Sequence, residues 1–404
     1  MQIVTENRSR IMNKIEELIA ELCPDGVEYR KLGEICQIKN GRDYKHLESG
    51  RVPVYGSGGF MGFCVSKASH VGPTVLLPRK GSISNVFYVE GPIWNVDTVF
   101  YTIVNEDKLL TRYFYHVMLD AHIENYSTGS AARPSLTQTA LKQIEIPVPP
   151  IEVQREIVRI LDSFAELEAE LEAELEARKL QYTHYRDRLL SGESLEALDG
   201  KPVEMMRLGD VCNIQRGASP RPIKKFVTKD PSGVPWIKIG DVSTDGKYIS
   251  CTEERITSDG AAESRLLHAG DFVLSNSMSW GRPYILKIDG CIHDGWLSLT
   301  NFRNSFNSDF LYHLLKSSSI QRYWEMKINT GSVSNLNADL VKATPIPVPS
   351  QATQQKVVSI LDRFDALTTS LTDGLPVEIE ARRQQYEYYR DRLLDFPRKE
   401  DAAR

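Results

Sequence analysis

The side chains of this 404-residue sequence that could perform catalysis do not form a recognisable catalytic group. The sequence has no GxxxxGKS/T phosphate loop, no GxSxG nucleophile turn and no HExxH zinc helix. The turn at Gly56 to Phe60 resembles a dinucleotide loop only superficially, because no strand-loop-helix unit with a downstream acidic residue supports it. The Pro149-Pro150 pair is followed by Ile151, whereas amino-group DNA methylases carry an aromatic residue there. The absence of these catalytic motifs favours a binding protein over an enzyme.

The cysteines are spread along the chain without a CxxC pair or a Cys/His cluster. They are Cys23, Cys36, Cys64, Cys212, Cys251 and Cys291. This spacing argues against a zinc site and against a disulfide framework, so we predict structural thiols and no bound metal. With 41% hydrophobic residues and no apolar run of membrane-spanning length, the sequence predicts a soluble, cytoplasmic protein with two globular domains and helical connectors.

Residues 151–190 carry the longest helical pattern. Their apolar residues recur at steps of three or four and form one stripe: Ile157, Leu161, Phe164, Leu167, Leu171 and Leu175. No Gly or Pro interrupts the segment, and strong helix formers dominate it. At about 1.5 Å per residue the helix would span roughly 60 Å, which is typical of a spacer or a coiled-coil arm.

Residues 351–394 repeat this helical plan. The tags IEIPVPP and TPIPVPS precede the two segments, and the words ARKLQYTHYRDRLL and ARRQQYEYYRDRLL end them. The second segment differs at Gly374-Leu375-Pro376, where proline should kink the helix. The chain is therefore predicted to be a tandem duplication.

The rest of each repeat is a lobe with short β-like runs and one helix. Each lobe begins with a similar motif, LGEIC or LGDVC, which predicts a helical turn followed by a buried strand. Strands are expected at 74–77, 86–89, 98–101, 236–239, 271–274 and 284–287, and helices at 1–23, 108–125 and 309–326. The predicted domains are an N-terminal helix (1–27), lobe one (28–150), a helical spacer (151–200), lobe two (201–349) and a distal helical region (350–404). The fold class is therefore α+β.

Charge is unevenly distributed along the chain, although the formal net charge is -5. Residues 152–178 carry nine acidic residues against three arginines, so this helix repels phosphate and should face solvent and protein partners. The lobes are mildly basic, with 13 Lys/Arg against 11 Asp/Glu in 28–150 and 18 against 15 in 201–349. This margin is compatible with a local nucleic-acid-binding face.

The duplicated phrases resemble the specificity (S) subunit of type I restriction-modification systems. The match rests on the IPVPP/IPVPS tags, ILDSF and ILDRF, the QYxxYRDRLL endings, LCPDGVEYRKLGEIC and DGLPVEIEARR, and it extends from about residue 10 to 395. The resemblance implies two mixed α/β target-recognition domains separated by two long antiparallel coiled-coil helices in a tandem pseudo-twofold repeat. It also implies recognition of a bipartite, asymmetric DNA site, with one domain for each half-site.

Given that resemblance, Arg, Lys, Ser, Asn and aromatic residues in Gly-rich loops are the candidates for DNA contact, because backbone can approach DNA there and Arg can bond guanine edges. For each of them, a solvated loop side chain is the alternative. The candidates are Arg42, Tyr44, Arg79, Lys80, Ser82, Ser130, Arg133, Arg216, Arg221, Lys224, Trp280, Arg282, Ser332 and Asn335.

The resemblance further implies two methylation subunits, with S-adenosylmethionine chemistry on adenine, and restriction subunits that use ATP and Mg. This chain would hold no cofactor itself. The helix-end tyrosines Tyr182, Tyr185, Tyr386 and Tyr389 are candidates for partner docking, and packing of one helix end against the other is the alternative. The AELE unit that occurs three times from Ala165 is expected to set the spacing of the half-sites. A protein-binding scaffold, a DNA enzyme of unusual design and a DNA reader of a related restriction system remain alternatives.

Overall fold

The structure, a computed structural model, describes residues 14–15, 17–128, 134–242, 246–277, 280–329, 335–369 and 374–399. The chain divides into two compact units. The first unit contains the chain up to Glu170 together with the part from Glu380 onward, and the second runs from Leu171 to Ile379. Each unit therefore combines one lobe with segments of the helical regions.

The helices and strands of the first repeat alternate in short segments before one long helix. They are β1 (Tyr29–Lys31), α1 (Leu32–Ile35), β2 (Cys36–Asn40), β3 (Ser49–Gly56), β4 (Gly59–Val65), β5 (Thr74–Pro78), β6 (Phe87–Val89), β7 (Trp94–Asn95), β8 (Val99–Val104), α2 (Thr111–Asp120), a 3-10 turn (Ile123–Tyr126), α3 (Gln138–Leu141), β9 (Glu145–Pro147) and α4 (Ile151–Leu189). Residues 17–22, which precede them, are helical.

The second repeat begins with a similar helical turn and strand. Its elements are α5 (Gly192–Asp199), β10 (Glu204–Arg207), α6 (Leu208–Val211), β11 (Asn213–Arg216), a 3-10 turn (Ile223–Lys225), β12 (Val227–Thr228), β13 (Val234–Ile237), a 3-10 turn (Ile239–Asp241), β14 (Tyr248–Ile249), β15 (Glu254–Ile256), α7 (Ser258–Ala262), β16 (Arg265–Leu267), β17 (Phe272–Ser275), β18 (Pro283–Leu286), β19 (Gly290–Ile292), β20 (Trp296–Thr300), α8 (Ser308–Leu315), α9 (Ser318–Asn329), α10 (Ala338–Lys342), β21 (Pro345–Val348), α11 (Gln351–Thr369) and α12 (Leu375–Leu393).

The first lobe contains two sheets with the orders β2-β8-β5-β6 and β4-β3-β7. The four-stranded sheet is antiparallel, whereas β3 pairs antiparallel with β4 and parallel with β7. The main core joins the first sheet to the helices, with Leu77 and Phe100 from the sheet, Phe114 from α2, and Ile157 and Leu161 from α4 all buried. The apolar stripe of α4 therefore anchors the lobe.

The second lobe repeats this plan with two five-stranded sheets, β11-β20-β17-β18-β14 and β12-β15-β13-β19-β16. Its core again joins the first sheet to helices, through Leu274 and Leu299, Phe310 of α8, and Val358 and Leu361 of α11. The strands β2, β8, β5 and β6 thus correspond in order to β11, β20, β17 and β18. The predicted α+β duplication is confirmed, as are the helical turns of LGEIC and LGDVC that lead into β2 and β11.

The long helix α4 ends one residue before the predicted position. Ile157 and Leu161 are buried, but Leu167, in the AELE run, is 43% exposed. The second helical segment consists of α11, which ends at Thr369, and α12, which begins at Leu375, so the predicted interruption at Gly374-Leu375-Pro376 falls at the start of α12. Pro376 lies in the first turn of α12, where the missing proline N–H breaks no helical hydrogen bond.

The helices predicted at 108–125 and 309–326 are each interrupted. The first consists of α2 and a 3-10 turn, and the second is divided into α8 and α9. The Ser317-Ser318-Ser319 run lies at the second break, where the Ser318 amide donates to the carboxylate of Asp187 at 2.9 Å. That bond satisfies an amide at the start of α9 and favours a new helix start there.

In both units the lobe lies against helix segments from two parts of the chain. In the first unit, the ring of Phe164 in α4 stacks on Tyr389 of α12 at 5.0 Å, and Glu168 pairs with Arg383 at 2.9 Å. These two contacts run in opposite chain directions, so the segments pack antiparallel. In the second unit, Tyr185 of α4 stacks on a phenylalanine of α11, Phe364, at 5.4 Å. The two QYxxYRDRLL endings therefore have equivalent roles, one in each unit.

Candidate nucleic-acid interface

In the first unit, four loops meet at the edge of the sheet where β2 and β5 end and β8 begins. The Arg42 amide donates to the carbonyl of Asn95 at 3.0 Å, and the Arg79 amide donates to the carbonyl of Thr98 at 2.8 Å. These bonds join the loops after β2 and β5 to the loop before β8. We call this group loop cluster 1, and it comprises residues 41–45, 56–61, 79–85 and 95–98.

In the second unit, the corresponding loops meet in the same way. The Gly217 amide donates to the carbonyl of Trp296 at 2.9 Å, and the Asn276 side-chain amide donates to the carbonyl of Asp294 at 3.0 Å. The loops after β11 and β17 therefore contact the loop before β20. Loop cluster 2 comprises residues 217–222, 276–277, 280–282 and 293–295.

Gly41 and Gly217 have the same structural role in the two clusters. Each follows the first strand of its sheet, and a Cβ at Gly41 would overlap the carbonyl oxygen of Val96, while one at Gly217 would overlap that of His293. Only glycine allows the two backbones to approach this closely. These glycines therefore bring the two neighbouring loops of each cluster together.

The polar segments that close the lobes also return to the clusters at equivalent positions. The Leu136 amide donates to the carbonyl of Arg79 at 2.9 Å, and the Leu336 amide donates to that of Asn276 at 3.0 Å. Arg79 directly follows β5 and Asn276 directly follows β17. The two repeats thus build the same frame from loops of different sequence, as expected of related surfaces that recognise different ligands.

Asp294 organises the charge of loop cluster 2. Its carboxylate accepts a hydrogen bond from the Ser219 hydroxyl at 2.9 Å, and Arg216 and Arg221 approach it at 4.0 and 3.8 Å. The Ser219 hydrogen bond lowers the pKa of Asp294, so the carboxylate is charged at neutral pH. Both arginines are mostly exposed, with side chains 65% and 84% accessible, and they remain available to an anionic ligand.

The structure places most of the predicted DNA-contact residues on these clusters. Arg42, Tyr44, Arg79, Lys80 and Ser82 lie in loop cluster 1, and Arg216, Arg221, Trp280, Arg282 and Asn335 lie in or directly beside loop cluster 2. Lys224 lies two residues beyond loop cluster 2, on an exposed 3-10 turn whose Ile223 packs against the second sheet. Ser130, Arg133 and Ser332 lie outside the described residues. Contact of any of these residues with DNA stays a prediction.

A buried histidine joins the first lobe to two helices. The Nε2 of His116 in α2 lies 2.9 Å from the carboxylate of Asp162 in α4, and its Nδ1 lies 3.0 Å from the hydroxyl of Tyr386 in α12. Because a carboxylate only accepts, the neutral imidazole donates through Nε2 and accepts from the tyrosine at Nδ1. Arg112 also donates to Asp162, at 2.8 Å. We call His116, Asp162 and Tyr386 clasp 1.

The second unit contains an equivalent group, clasp 2, formed by His313, Asp362 and Tyr182. The His313 Nε2 lies 2.9 Å from the Asp362 carboxylate, and its Nδ1 lies 2.8 Å from the Tyr182 hydroxyl. Here the cation at the carboxylate is Lys247, at 3.2 Å. Both clasps therefore connect three elements, and they pair their aspartates with cations from different parts of the lobe.

Burial lowers the pKa of His116 and His313 from the usual 6.5, although the neighbouring aspartates act in the opposite direction. Burial alone would raise the pKa of Asp162 and Asp362, but hydrogen bonds from the histidines and the adjacent cations outweigh it and lower both. Each clasp is therefore formed by a neutral imidazole and an ionised carboxylate at neutral pH.

We expect the free energy of unfolding to fall as the pH drops below 6.5. The unfolded chain then protonates these imidazoles while the folded chain resists, which costs up to about 1 kcal/mol per histidine over one pH unit. The lowered aspartate pKa values act in the same direction below 3.8. Thermal unfolding at pH 7.5 and 5.5 tests this. A His116→Gln/His313→Gln variant should show a smaller pH dependence than the wild type, and an equal dependence would contradict the assignment.

The four tyrosines predicted to dock partners all pack within their own units. Tyr182 and Tyr389 are buried and Tyr386 is partly buried, whereas Tyr185 keeps 37% of its surface exposed. Tyr185 and Tyr389 pack on the opposite helix segment, whereas Tyr182 and Tyr386 bond a histidine of the lobe, and a docking role stays a prediction for all four.

Several residues of the site carry no clear local signal. Asp294, Ser219, His116 and His313 are not among the predicted site residues. One signal is present in the sequence: a Tyr-His pair at 115–116 and 312–313 precedes the aspartate of each ILD motif by a similar distance.

Within the described part of the chain, no group of three or more His, Cys, Asp or Glu side chains could hold a metal ion, and no helix could span a membrane.

Comparison with known proteins identifies the family of this chain. The model of the type I restriction modification DNA specificity domain matches twice, at residues 24–177 and 200–381. A putative type I restriction enzyme specificity subunit of Haemophilus influenzae is 31% identical, over 92% of this chain and 96% of that protein. The EcoR124I/EcoR124II specificity subunit of Escherichia coli is 33% identical over 75% of both chains.

Solved structures agree in fold. The S subunit of a type I restriction-modification system from M. genitalium matches with a TM-score of 0.54 at 18% identity and covers 91% of this chain and 96% of that one. A chain from a structure on complex assembly and conformational transition of the type I R-M system matches with a TM-score of 0.57 at 18% identity, over 91% and 97% of the two chains. This chain therefore belongs to the type I restriction-modification DNA specificity family.

Proposed function

We propose that this chain is the DNA-recognition subunit of a type I restriction-modification complex and reads a bipartite, asymmetric site with one lobe for each half. The observation that carries this proposal is the presence of two equivalent loop clusters, each framed by the same glycine and the same returning segment but lined by different side chains. Basic side chains on Gly-rich loops suit phosphate and guanine contacts.

The chain has no catalytic role in this proposal. Two methylation subunits would supply S-adenosylmethionine chemistry on adenine, and restriction subunits would supply cleavage that depends on ATP and Mg. The exposed apolar side chains of Leu180 in α4 and Tyr388 in α12, which are 73% and 56% accessible, support docking of partners along the helices. The acidic run beside Leu180 favours a protein partner over DNA.

The three AELE units in α4 set the spacing of the two half-sites in this proposal. The chain passes between the two units twice, and the first of these boundaries falls after Glu170, inside this run. One four-residue unit adds about 6 Å of helix and roughly 40° of rotation. At about 3.4 Å per base pair, that length corresponds to one or two base pairs of DNA.

Deleting residues 169–172 should shorten the non-specific spacer by one or two base pairs and leave both half-sites unchanged. The measurement is methylome sequencing of a host that expresses this chain with its methylation subunit. The exposed substitution Glu170→Gln keeps the helix length and serves as the matched control, with an unchanged motif expected.

Two outcomes would contradict the proposal in different ways. An unchanged spacer after the deletion would show that α4 does not set the spacing. An assembled complex that methylates no motif would instead support a protein-binding scaffold. A motif without associated cleavage would be compatible with a DNA reader of a related restriction system.

A further inference from the structure

The β3–β4 hairpin of the first unit ends in an exposed apolar tip that no sequence motif marks. A two-residue turn, Ser57-Gly58, joins the strands, and Gly56 pairs with Gly59 across it. Phe60 is 53% exposed and Met61 is 42% exposed. Since neighbouring residues of a strand point to opposite faces, the tip is apolar on both faces.

Exposure of these two apolar side chains to water is energetically unfavourable. β4 is an edge strand of its sheet, with β3 as its neighbour. Exposed apolar residues on an edge strand favour association with other chains, and natural proteins usually protect such edges with charges or covering segments. An uncovered apolar tip therefore points to a ligand that covers it.

The hairpin projects from within loop cluster 1. On one side, the Asn85 side-chain amide donates to the carbonyl of Ser57 at 3.1 Å, which holds the turn against the loop after β5. On the other side, a cavity of about 470 Å³ lies between the tip and the loops that carry Tyr44 and Asp97. The tip is thus held by one loop of the candidate interface and faces a cavity that two other loops of the interface line.

The charge around the tip fits a polyanion. Arg42, Lys45, Arg79 and Lys80 lie on the adjoining loops, against Asp43 and Asp97 in the same loops. Basic side chains beside an apolar ribbon match a nucleic acid, whose phosphates flank the base edges.

We propose that the β3–β4 hairpin enters the major groove as a two-stranded ribbon and that Phe60 and Met61 contact the C5-methyl groups of thymine. The major groove admits a two-stranded β-ribbon, and the thymine methyl is the apolar group that the base edges present there. This inference rests on the proposed DNA-recognition function and names the element that reads bases in the first unit.

The second unit differs at the corresponding position. Its β13 pairs parallel with β19, as β3 does with β7, but it is followed by the 3-10 turn Ile239–Asp241. Trp236 of β13 pairs with Glu254 on the antiparallel neighbour, and that glutamate forms an ion pair with Lys238 at 3.0 Å. The described part of β13 thus buries its apolar residues Trp236 and Ile237 and carries an ion pair beside them, so dependence on thymine methyls is expected in one half-site only.

The test uses the full chain with its methylation subunit and the motif found by methylome sequencing. Because the proposed methylation modifies adenine, each half-site contains an A·T pair and hence a thymine. Each thymine is replaced by uracil, which removes only the methyl group, and duplex binding is measured. We expect binding of the wild-type complex to weaken roughly four- to tenfold for at least one uracil, in one half-site.

The Phe60→Ala/Met61→Ala variant should bind the thymine and uracil duplexes of that half-site equally and keep the wild-type behaviour at the other. Its midpoint of thermal unfolding should not change, because both side chains are exposed. Val71→Ala, a change in an apolar residue that is 73% exposed and precedes β5 at the end opposite Arg79, is the matched control and should keep the thymine preference.

The possible failures are distinguishable. If uracil has no effect at any position while the complex still methylates its motif, the proposed function stands and the hairpin inference is overturned. If the double variant keeps the thymine preference, the inference is also overturned. If no motif and no site-specific binding are found, the proposed function itself fails, and the inference fails with it.

Discussion

Asp162→Ala should destabilise the first unit by about 2–3 kcal/mol. The substitution leaves the Nε2 of His116 buried without its acceptor, which costs roughly 1–3 kcal/mol, and it removes the partner of Arg112. The histidine accounts for most of the loss, because its side chain is 1% exposed while that of Asp162 is 27% exposed. Equilibrium unfolding of the full chain, with hydrogen exchange followed in α2, measures the effect.

Asp162→Asn is the matched control, because the amide oxygen still accepts from the imidazole and should retain more than half of the lost stability. Asp362→Ala should have the same effect in the second unit, with faster exchange in α8, since His313 depends on Asp362 in the same way. If both alanine variants unfold at the wild-type denaturant concentration, the clasps do not hold the lobes to the helices.

Gly41→Ala is expected to cost about 2–4 kcal/mol and to abolish recognition of one half-site. The new Cβ would overlap the carbonyl of Val96 and the neighbouring backbone of Asn95, which cannot rotate away as a flexible side chain could. The loop before β8 must then move, and loop cluster 1 with it. Gly217→Ala should have the equivalent effect on the other half-site, through His293.

Gly91→Ala serves as the control in the same unit, because a Cβ at Gly91 meets nothing within 4 Å and its backbone lies outside the left-handed region. Unfolding midpoints and methylome sequencing should show wild-type stability and an unchanged motif. A Gly41→Ala protein with the wild-type motif would mean that the close approach of the two loops is not needed for recognition.

The sequence predicted the elements that have strong local signals. The apolar stripe and strong helix formers of 151–190 predicted α4 to within one residue, and the repeated LGEIC and LGDVC predicted the same turn and strand in both lobes. The breaks in the helices predicted at 108–125 and 309–326 were missed because their local signals are weak. The start of α9, for example, depends on a hydrogen bond from Ser318 to Asp187, which precedes it by 131 residues.

The candidate site was only partly predictable. Loop composition correctly placed Arg42 and Arg79 at the surface of loop cluster 1 and Arg216 at that of loop cluster 2, because Gly-rich connecting loops run over the protein surface. The packing at Gly41 and the clasps depends on contacts between residues far apart in the chain, and local patterns do not contain that information. The apolar hairpin tip was missed because Phe60 and Met61 lie in the Gly-rich run YGSGGFMG, which predicts a turn and does not indicate a strand.

The clasps also impose an order on synthesis. The three residues of clasp 2, Tyr182, His313 and Asp362, are all translated by the end of α11. Clasp 2 can therefore form before α12 is made. Clasp 1 joins His116 to a tyrosine made 270 residues later, in α12. At about 5–20 residues per second, the lobe translated first waits roughly 15–50 seconds for its last helix. The first lobe to be made is therefore the last to be completed, and until then its apolar surface is exposed to chaperones and proteases.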